Sequence, residues 1–134
     1  MCRTFGDIEA KAERLLGNPK VVISEPDICR FKIQPDRHDF IIIGCDGIFD
    51  KLDDKDCVHT VWQTAITKKT YDQSMQALQK ASQQEPHYNH SLCGLAVDSV
   101  MKTTAVRRSA DNITVVFVAF DNFFNLVRES KGNI

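Results

Sequence analysis

"DFIIIGCDGIFD", residues 39–50, contains four consecutive apolar residues, Phe40–Ile43, and then breaks off at Gly44-Cys45-Asp46-Gly47. A short apolar run that is bounded by turn residues is typical of a buried β-strand. We therefore predict a strand over Asp39–Cys45, with the carboxylate of Asp46 directly after its end. The two glycines on either side leave room for a tight backbone turn.

A second carboxylate occupies the mirror position at another strand. Ile113–Phe120 is strongly apolar and β-branched, which predicts a strand, and Asp111 stands just before it, after the small residues Ser109 and Ala110. If the two strands are antiparallel neighbours, the exit of the first lies beside the entrance of the second. Asp46 and Asp111 would then meet at one rim of the sheet.

Two carboxylates in contact repel each other, and the pKa of one of them rises. A hard divalent cation removes this conflict, and Mg²⁺ or Mn²⁺ prefers oxygen ligands. The pattern thus suggests a metal site at Asp46 and Asp111. Asp-Gly and Asp-Asn are also common turn pairs, and spacing alone favours a structural turn at each position. The residues by themselves leave both interpretations open.

The remaining segments alternate between short strands and amphipathic helices. After a short first helix, the order of three strands, three helices and one strand predicts an α+β protein whose first three strands form an antiparallel meander. Asp53 or Asp54 is expected to cap the first long helix. The predicted segments are a helix over 7–16, strands over 20–24, 28–33 and 39–45, helices from 53 to 66, over 71–84 and around 92–100, loops over 85–89 and 107–112, and a strand over 113–120.

Composition limits the classes of partner. The chain has 134 residues, enough for one domain, and its net charge of -1 gives no electrostatic argument for binding nucleic acid or an anionic membrane. No signal peptide is expected after Met1, and the longest apolar stretch, Val115–Phe120, is too short to span a bilayer. Five cysteines without a CxxC pattern argue against disulfides and structural zinc, and favour a reducing compartment, cytoplasmic or nuclear.

Three stretches resemble motifs of the metal-dependent protein phosphatases, the PPM or type 2C family. They are "CRTFGD" (Cys2–Asp7), "DFIIIGCDGIFD" and "SADNITVVFVAF" (Ser109–Phe120), and they occur in the order of the family and at plausible separations. The resemblance implies a fold of two antiparallel sheets packed as a sandwich, with helices outside. It also implies a hydrolase that removes phosphate from phosphoserine and phosphothreonine in phosphoprotein substrates by means of a metal-activated water.

The resemblance assigns roles at matching positions. Asp46 and Asp111 correspond to ligands of one catalytic metal, Mg²⁺ or Mn²⁺. Arg3, Asp7, Gly47 and Asn112 fall in or beside the same motifs and are expected to support the site.

One motif of the family is absent from the sequence. No Asp-Gly-His-Gly-Gly segment occurs, although its first Asp bridges two metals in the family. Residues 1–134 therefore resemble the C-terminal half of the domain, with 121–134 as a polar tail, and the isolated chain is expected to be inactive. Missing strands would leave open edges and apolar surface. Three explanations stay open: a fragment of a phosphatase, half of a split domain completed by another chain or segment, or a non-catalytic binding or scaffold protein.

Other chemistry-bearing residues have simpler interpretations. His87, His90 and Cys93 are three residues apart, but polar loop residues beside a buried cysteine explain them better than a soft-metal site. Cys45 is read as a small buried hydrophobe rather than a reactive thiol. Trp62 falls at helical spacing among apolar residues, which predicts a core position.

Overall fold

The computed structural model describes residues 3–78 and 85–130. The chain forms two compact units that adjoin in sequence between Lys32 and Ile33, and each is described by itself. Cys2, the last six residues of the predicted helix 71–84 and the last four of the predicted tail lie outside the described residues.

The first unit contains one turn of α-helix and one turn of 3₁₀-helix. The helix α1 spans Ile8–Lys11, and the 3₁₀ turn spans Glu13–Leu15, within the predicted helix 7–16. Arg3 and Ile23 form an isolated parallel bridge, and the Thr4 amide donates a hydrogen bond of 2.9 Å to the Ile23 carbonyl.

The two strands predicted in this part of the sequence are wrong. Neither 20–24 nor 28–33 forms a strand in the structure, so the predicted three-stranded meander is wrong as well. Val21 is 60% exposed and Ile28 is 79% exposed. β-Branched residues favour a strand only when a neighbouring strand and a buried face are present, and the first unit provides neither beyond the single bridge at Ile23.

The second unit contains a sheet of two antiparallel strands. Strand β1 spans Phe40–Gly44 and strand β2 spans Val115–Ala119. Phe40 pairs with Ala119, and Gly44 pairs with Val115. This pairing confirms that the two strands predicted around the carboxylates are antiparallel neighbours.

Within the described residues of this unit, four helices accompany the sheet. They are α2 over Asp46–Phe49, α3 over Asp54–Leu78, α4 over Glu85–Val106 and α5 over Asp121–Glu129. Helix α3 continues through the polar stretch that separates the two predicted helices, because Thr67-Lys68-Lys69-Thr70 contains no glycine or proline to end it.

Two further expectations are corrected. The segment 85–89, predicted as a loop, is the start of α4, since a proline is tolerated in the first turn of a helix. Residues 121–129 form α5 rather than a polar tail, because Phe123 and Val127, one turn apart, are both buried.

The helices cover one face of the sheet. Helix α3 packs against α4 and α5, and α4 packs against β2. The core comprises residues from α2 to α5, namely Ile48, Leu52, Cys57, Val61, Ala65, Leu92, Ala96, Val100, Phe123 and Val127. Trp62 packs on it with its ring centroid 5.2 Å from that of Phe123, which confirms a packing role.

The opposite face of the sheet carries exposed apolar side chains. Ile43 is 58% exposed, Val116 51% and Val118 40%, whereas Ile42 and Phe117 point to the helices. The described residues thus form a mixed helix and strand fold with one small antiparallel sheet, as the α+β prediction requires. The second sheet of a sandwich stays a prediction. In the described part of the chain, no helix is both long and apolar enough to cross a membrane.

Candidate metal centre

The ends of β1 and β2 bring the two predicted ligands to one rim of the sheet. Asp46 is the first residue of α2 and is separated from the end of β1 by Cys45 alone, and Asp111 lies in the loop between α4 and β2. Because Gly44 pairs with Val115, the exit of β1 stands beside the entrance of β2. Both carboxylates belong to exposed residues, so water and ions reach them.

The backbones of the two carboxylate segments are in close contact at Gly47. A Cβ built on Gly47 would lie 2.2 Å from the carbonyl oxygen of Asn112 and 3.5 Å from the Cβ of Asp111. Only glycine fits such an approach without displacement of the backbone. Gly47 and Asn112, predicted as supporting residues, therefore lie beside the site, and the side chain of Asp111 stands against the residue that follows Asp46.

Each carboxylate holds its own turn with one oxygen. Asp46 Oδ1 accepts a hydrogen bond of 3.0 Å from the Gly47 amide, and Asp111 Oδ1 accepts one of 2.7 Å from the Asn112 amide. Such bonds are expected if Asp-Gly and Asp-Asn are structural turns. Among residues 3–78 and 85–130, neither carboxylate forms an ion pair with a basic side chain.

The donor set fits a hard cation, but only in part. Carboxylate oxygens are the ligands that Mg²⁺ and Mn²⁺ prefer, and both carboxylates belong to exposed residues. The described residues contain no group of three or more His, Cys, Asp or Glu side chains that could hold a metal ion. Two carboxylates would supply only part of a coordination shell.

Two short side chains fasten the carboxylate segments to each other. The thiol of Cys45 donates to the Asn112 carbonyl at 3.0 Å and accepts from the Thr114 amide at 3.2 Å. The hydroxyl of Ser109 donates to the Gly47 carbonyl at 2.8 Å. The expectation that Cys45 is only a small buried hydrophobe is therefore wrong, since its half-buried sulfur joins two loops. Its position next to Asp46 was the only sequence signal for this role.

Arg107 fixes the start of the loop that carries Asp111. Its guanidinium donates to the Lys51 carbonyl at 2.9 Å and forms an ion pair with Asp56 on α3. The hydrogen bond from Arg107 holds the pKa of the Asp56 carboxyl below its ordinary value. Sequence reasoning missed this residue, because nothing near Arg107 in the sequence identifies its partner on α3.

The two predicted supporting residues of the first unit stay predictions. Arg3 forms an exposed ion pair of 2.9 Å with Asp27. Asp7 adopts a left-handed backbone conformation, with φ of 53°, immediately before α1. Both residues belong to the first unit.

The alternative sites have structural explanations. His87, His90 and Cys93 lie along α4 rather than in a loop, and both histidines are exposed. Burial raises the pKa of the Cys93 thiol, which disfavours the thiolate that a metal would need. Asp53 caps α3, as predicted, because its Oδ1 accepts a hydrogen bond of 2.7 Å from the Asp56 amide.

Comparison with known sequences gives consistent matches. The family described as Protein phosphatase 2C matches residues 1–88. The chain is 40% identical over 62 residues to Protein phosphatase 2C homolog 2 of Saccharomyces cerevisiae, covering 46% of this chain and 13% of that protein. It is 30% identical over 74 residues to Protein phosphatase 2C 1 of Paramecium tetraurelia, covering 52% and 24%.

A longer alignment joins the chain to Probable protein phosphatase 2C 21 of Arabidopsis thaliana. The two are 26% identical over 122 residues, which cover 90% of this chain and 29% of that protein. The chain thus spans less than a third of the length of each of these relatives. No solved structure gives a significant match.

Proposed function

The chain belongs to the protein phosphatase 2C family, and from this premise we propose that it carries one rim of the metal centre of a serine/threonine protein phosphatase. The observation that carries the proposal is the close contact of Gly47 with Asn112 at the paired ends of β1 and β2. That contact brings the segments of Asp46 and Asp111 together. The substrates would be phosphoserine and phosphothreonine in proteins.

Asp46 and Asp111 would hold one Mg²⁺ or Mn²⁺ between them. A bound divalent cation supplies a water of lowered pKa that can attack phosphorus, and it neutralises charge on the phosphate. The chain's own contribution is to present two carboxylates from segments beside the paired strands, each already hydrogen-bonded to a backbone amide. Gly47 allows the backbones of the two carboxylate segments to approach, because a Cβ there would meet the Asn112 carbonyl.

The isolated 134 residues are proposed to be inactive. The sequence contains no Asp-Gly-His-Gly-Gly segment, and two carboxylates leave most of a hard cation's shell to water. Catalysis would therefore require further ligands, from a segment or chain that supplies the N-terminal half of the domain.

The exposed face of the sheet supports the proposal that a further segment or chain completes the domain. Ile43, Val116 and Val118 present β-branched side chains to solvent from a sheet of only two described strands. Exposed apolar patches and open strand edges favour pairing with further structure. We propose that the second sheet of a sandwich covers this face. The described cysteines are free thiols, which suits the proposed cytoplasmic or nuclear location.

The same exposed face favours a second candidate function. A chain that keeps the half-fold without chemistry would act as a binding or scaffold protein through Ile43, Val116 and Val118. Metal binding discriminates the two candidates, because a scaffold has no reason to retain cation affinity at Asp46 and Asp111.

The test is an Mn²⁺ titration of the purified chain, followed by the relaxation of water protons. We expect weak binding that Asp46→Asn and Asp111→Asn each reduce at least about tenfold, as loss of a carboxylate ligand from a hard-cation site implies. Asp98→Asn, on exposed α4 surface, is the matched control and should bind as the wild type does. Unchanged binding in Asp111→Asn would contradict the shared site.

Activity is measured separately on p-nitrophenyl phosphate with Mn²⁺ present. We expect no turnover above background from the isolated chain. Mn²⁺-dependent hydrolysis that Asp46→Asn abolishes would overturn the proposed inactivity of the isolated chain and leave the metal site intact.

A further inference from the structure

Cys45 and Ser109 join the two carboxylate segments in a reciprocal pattern. Cys45 immediately precedes Asp46, and its thiol binds the carbonyl of Asn112, the residue that follows Asp111. Ser109 stands two residues before Asp111, and its hydroxyl binds the carbonyl of Gly47, the residue that follows Asp46. We propose that Cys45 and Ser109 are positioning residues that set the separation of the two carboxylates; the consequence for metal binding rests on the proposed function.

The thiol of Cys45 extends the strand pairing past its last regular pair. The Cys45 amide donates to the Thr114 carbonyl at 3.2 Å, and the Thr114 amide in turn donates to the Cys45 sulfur. The thiol also donates to the Asn112 carbonyl, so one side chain binds backbone groups of two residues in the loop after Asp111. Loss of the sulfur would leave a backbone donor and a backbone acceptor without their partner.

The hydroxyl of Ser109 holds the opposite side of the same junction. Ser109 is half-buried, and its hydroxyl donates a hydrogen bond of 2.8 Å to the Gly47 carbonyl within α2. This bond keeps Gly47 pressed against Asn112, at the distance where only a glycine fits. The two bonds therefore flank both carboxylates, and the backbone segments of Asp46 and Asp111 are joined on either side.

Neither residue is placed as a metal ligand. The Cys45 sulfur and the Ser109 hydroxyl are both engaged with backbone groups, and a thiol is a poor ligand for a hard cation. Their effect would pass through the carboxylates, because Mg²⁺ demands near-ideal octahedral geometry from its oxygen ligands. Residues that orient ligands typically change metal affinity about 10–100-fold when they are replaced.

The test compares Cys45→Ala and Ser109→Ala, which remove the bonds, with Cys45→Ser and Ser109→Thr, which keep a hydroxyl. Cys93→Ala, a half-buried cysteine on α4, and Ser74→Ala, a serine that donates to the Tyr71 carbonyl of its own helix, are the matched controls. The first readout requires no metal. It is the nuclear Overhauser contact between Gly47 and the Asp111 β-protons, with hydrogen exchange of the Thr114 amide.

We expect the alanine variants to weaken the Gly47–Asp111 contact and Cys45→Ala to speed exchange at Thr114 about tenfold, since its acceptor is lost. Mn²⁺ affinity should fall about tenfold in each alanine variant and recover only in part in Cys45→Ser, whose hydroxyl oxygen lies closer to Cβ than the sulfur does. The control variants should match the wild type in all readouts. If an alanine variant fails to fold, the Mn²⁺ affinity of Cys45→Ser is compared with that of the wild type. We then expect Cys45→Ser to bind Mn²⁺ more weakly than the wild type does.

An unchanged Gly47–Asp111 contact and unchanged Mn²⁺ affinity in the folded alanine variants would overturn the positioning role. So would a Cys45→Ser variant with wild-type affinity where Cys45→Ala does not fold. A wild-type chain that shows no Mn²⁺ effect contradicts the proposed function instead, and the metal-free contact and exchange data then decide the positioning role alone.

Discussion

Gly47 and Asn112 lie so close that a Cβ built on Gly47 would be 2.2 Å from the Asn112 carbonyl oxygen. The atom met is backbone, which cannot rotate away as a flexible side chain can. The position therefore requires glycine because of space at the junction of α2 with the loop before β2. This contact holds the segments of Asp46 and Asp111 against each other within the second unit.

Replacing Gly47 with alanine is expected to destabilise the protein by about 1–3 kcal/mol, the usual range for overpacking a tight site. The loop of Asn112 must shift, so Mn²⁺ affinity should fall as well. Urea denaturation followed by the fluorescence of the single tryptophan, Trp62, measures the first effect.

Gly94 provides the matched control. It lies inside α4 with no atom within 4 Å of a built Cβ, so Gly94→Ala should stabilise by about 0.5–1 kcal/mol through helix propensity. Equal effects of the two substitutions would show that the Gly47–Asn112 contact does not exist in solution.

Lys69 on α3 is expected to stabilise the end of α5. Its ammonium donates to the carbonyls of Val127, Arg128 and Ser130 at 2.7, 2.6 and 2.5 Å. A cation at a helix C-terminus satisfies orphan carbonyls and complements the helix dipole. Lys69→Met should therefore lower the free energy of unfolding by about 2 kcal/mol, in the range for hydrogen bonds to charged groups.

Hydrogen exchange locates this effect. In Lys69→Met the amides of the last turn of α5 should exchange faster than in the wild type, whereas Lys102→Met, which breaks only an exposed pair with Asp98, should leave them unchanged. Unaltered exchange in α5 of Lys69→Met would refute the anchoring role.

The ion pair of Arg107 with Asp56 predicts a pH dependence of stability. The hydrogen bond from Arg107 lowers the pKa of the Asp56 carboxyl in the folded state below its ordinary value of 3.8. Since the folded pKa is the lower one, the contribution is fully present well above pH 3.8 and is lost as the pH falls through the folded pKa. Arg107→Gln should remove this part of the acid sensitivity.

Urea midpoints at pH 7 and near pH 3 measure the difference. We expect Arg107→Gln to lose stability at pH 7 and to approach the wild type at the acidic pH. Lys102→Gln breaks an exposed ion pair with Asp98 on α4, and its stability should change with pH as that of the wild type does. A constant gap between Arg107→Gln and wild type at both pH values would contradict the assignment.

Phe123 is expected to be the largest single contributor of α5 to the core. It is fully buried, and its ring lies 5.5 Å from Phe40, 5.2 Å from Trp62 and 5.6 Å from Phe117. Phe123→Ala should cost about 3–5 kcal/mol, and Phe123→Leu less because most of the volume is kept. Leu126→Ala, on the same helix but 39% exposed, should cost under about 1 kcal/mol. If Phe123→Ala and Leu126→Ala lowered stability by similar amounts in thermal melts, Phe123 would not be packed in the core.

The elements that the sequence predicted correctly are those with a local signal. The apolar run before Asp46 and the run after Asp111 are each bounded by turn residues, and both form strands within two residues of the predicted bounds. The predictions were wrong where the structure of a segment depends on residues that are distant in the sequence. The β-branched segment 20–24 has the composition of a strand but meets a single bridge, and the polar-looking segment 121–129 folds because Phe123 finds aromatic neighbours.

The sequence by itself determined that two carboxylates stand at strand ends and that small residues surround them, because strand and turn propensities depend on adjacent residues. Only the tertiary structure decided how those ends are joined. Cys45 reaches Asn112 across 67 residues, and Ser109 reaches Gly47 across 62. Hydrogen bonds between such distant positions leave no periodic pattern in the chain, since they arise only when antiparallel pairing brings the two turns together.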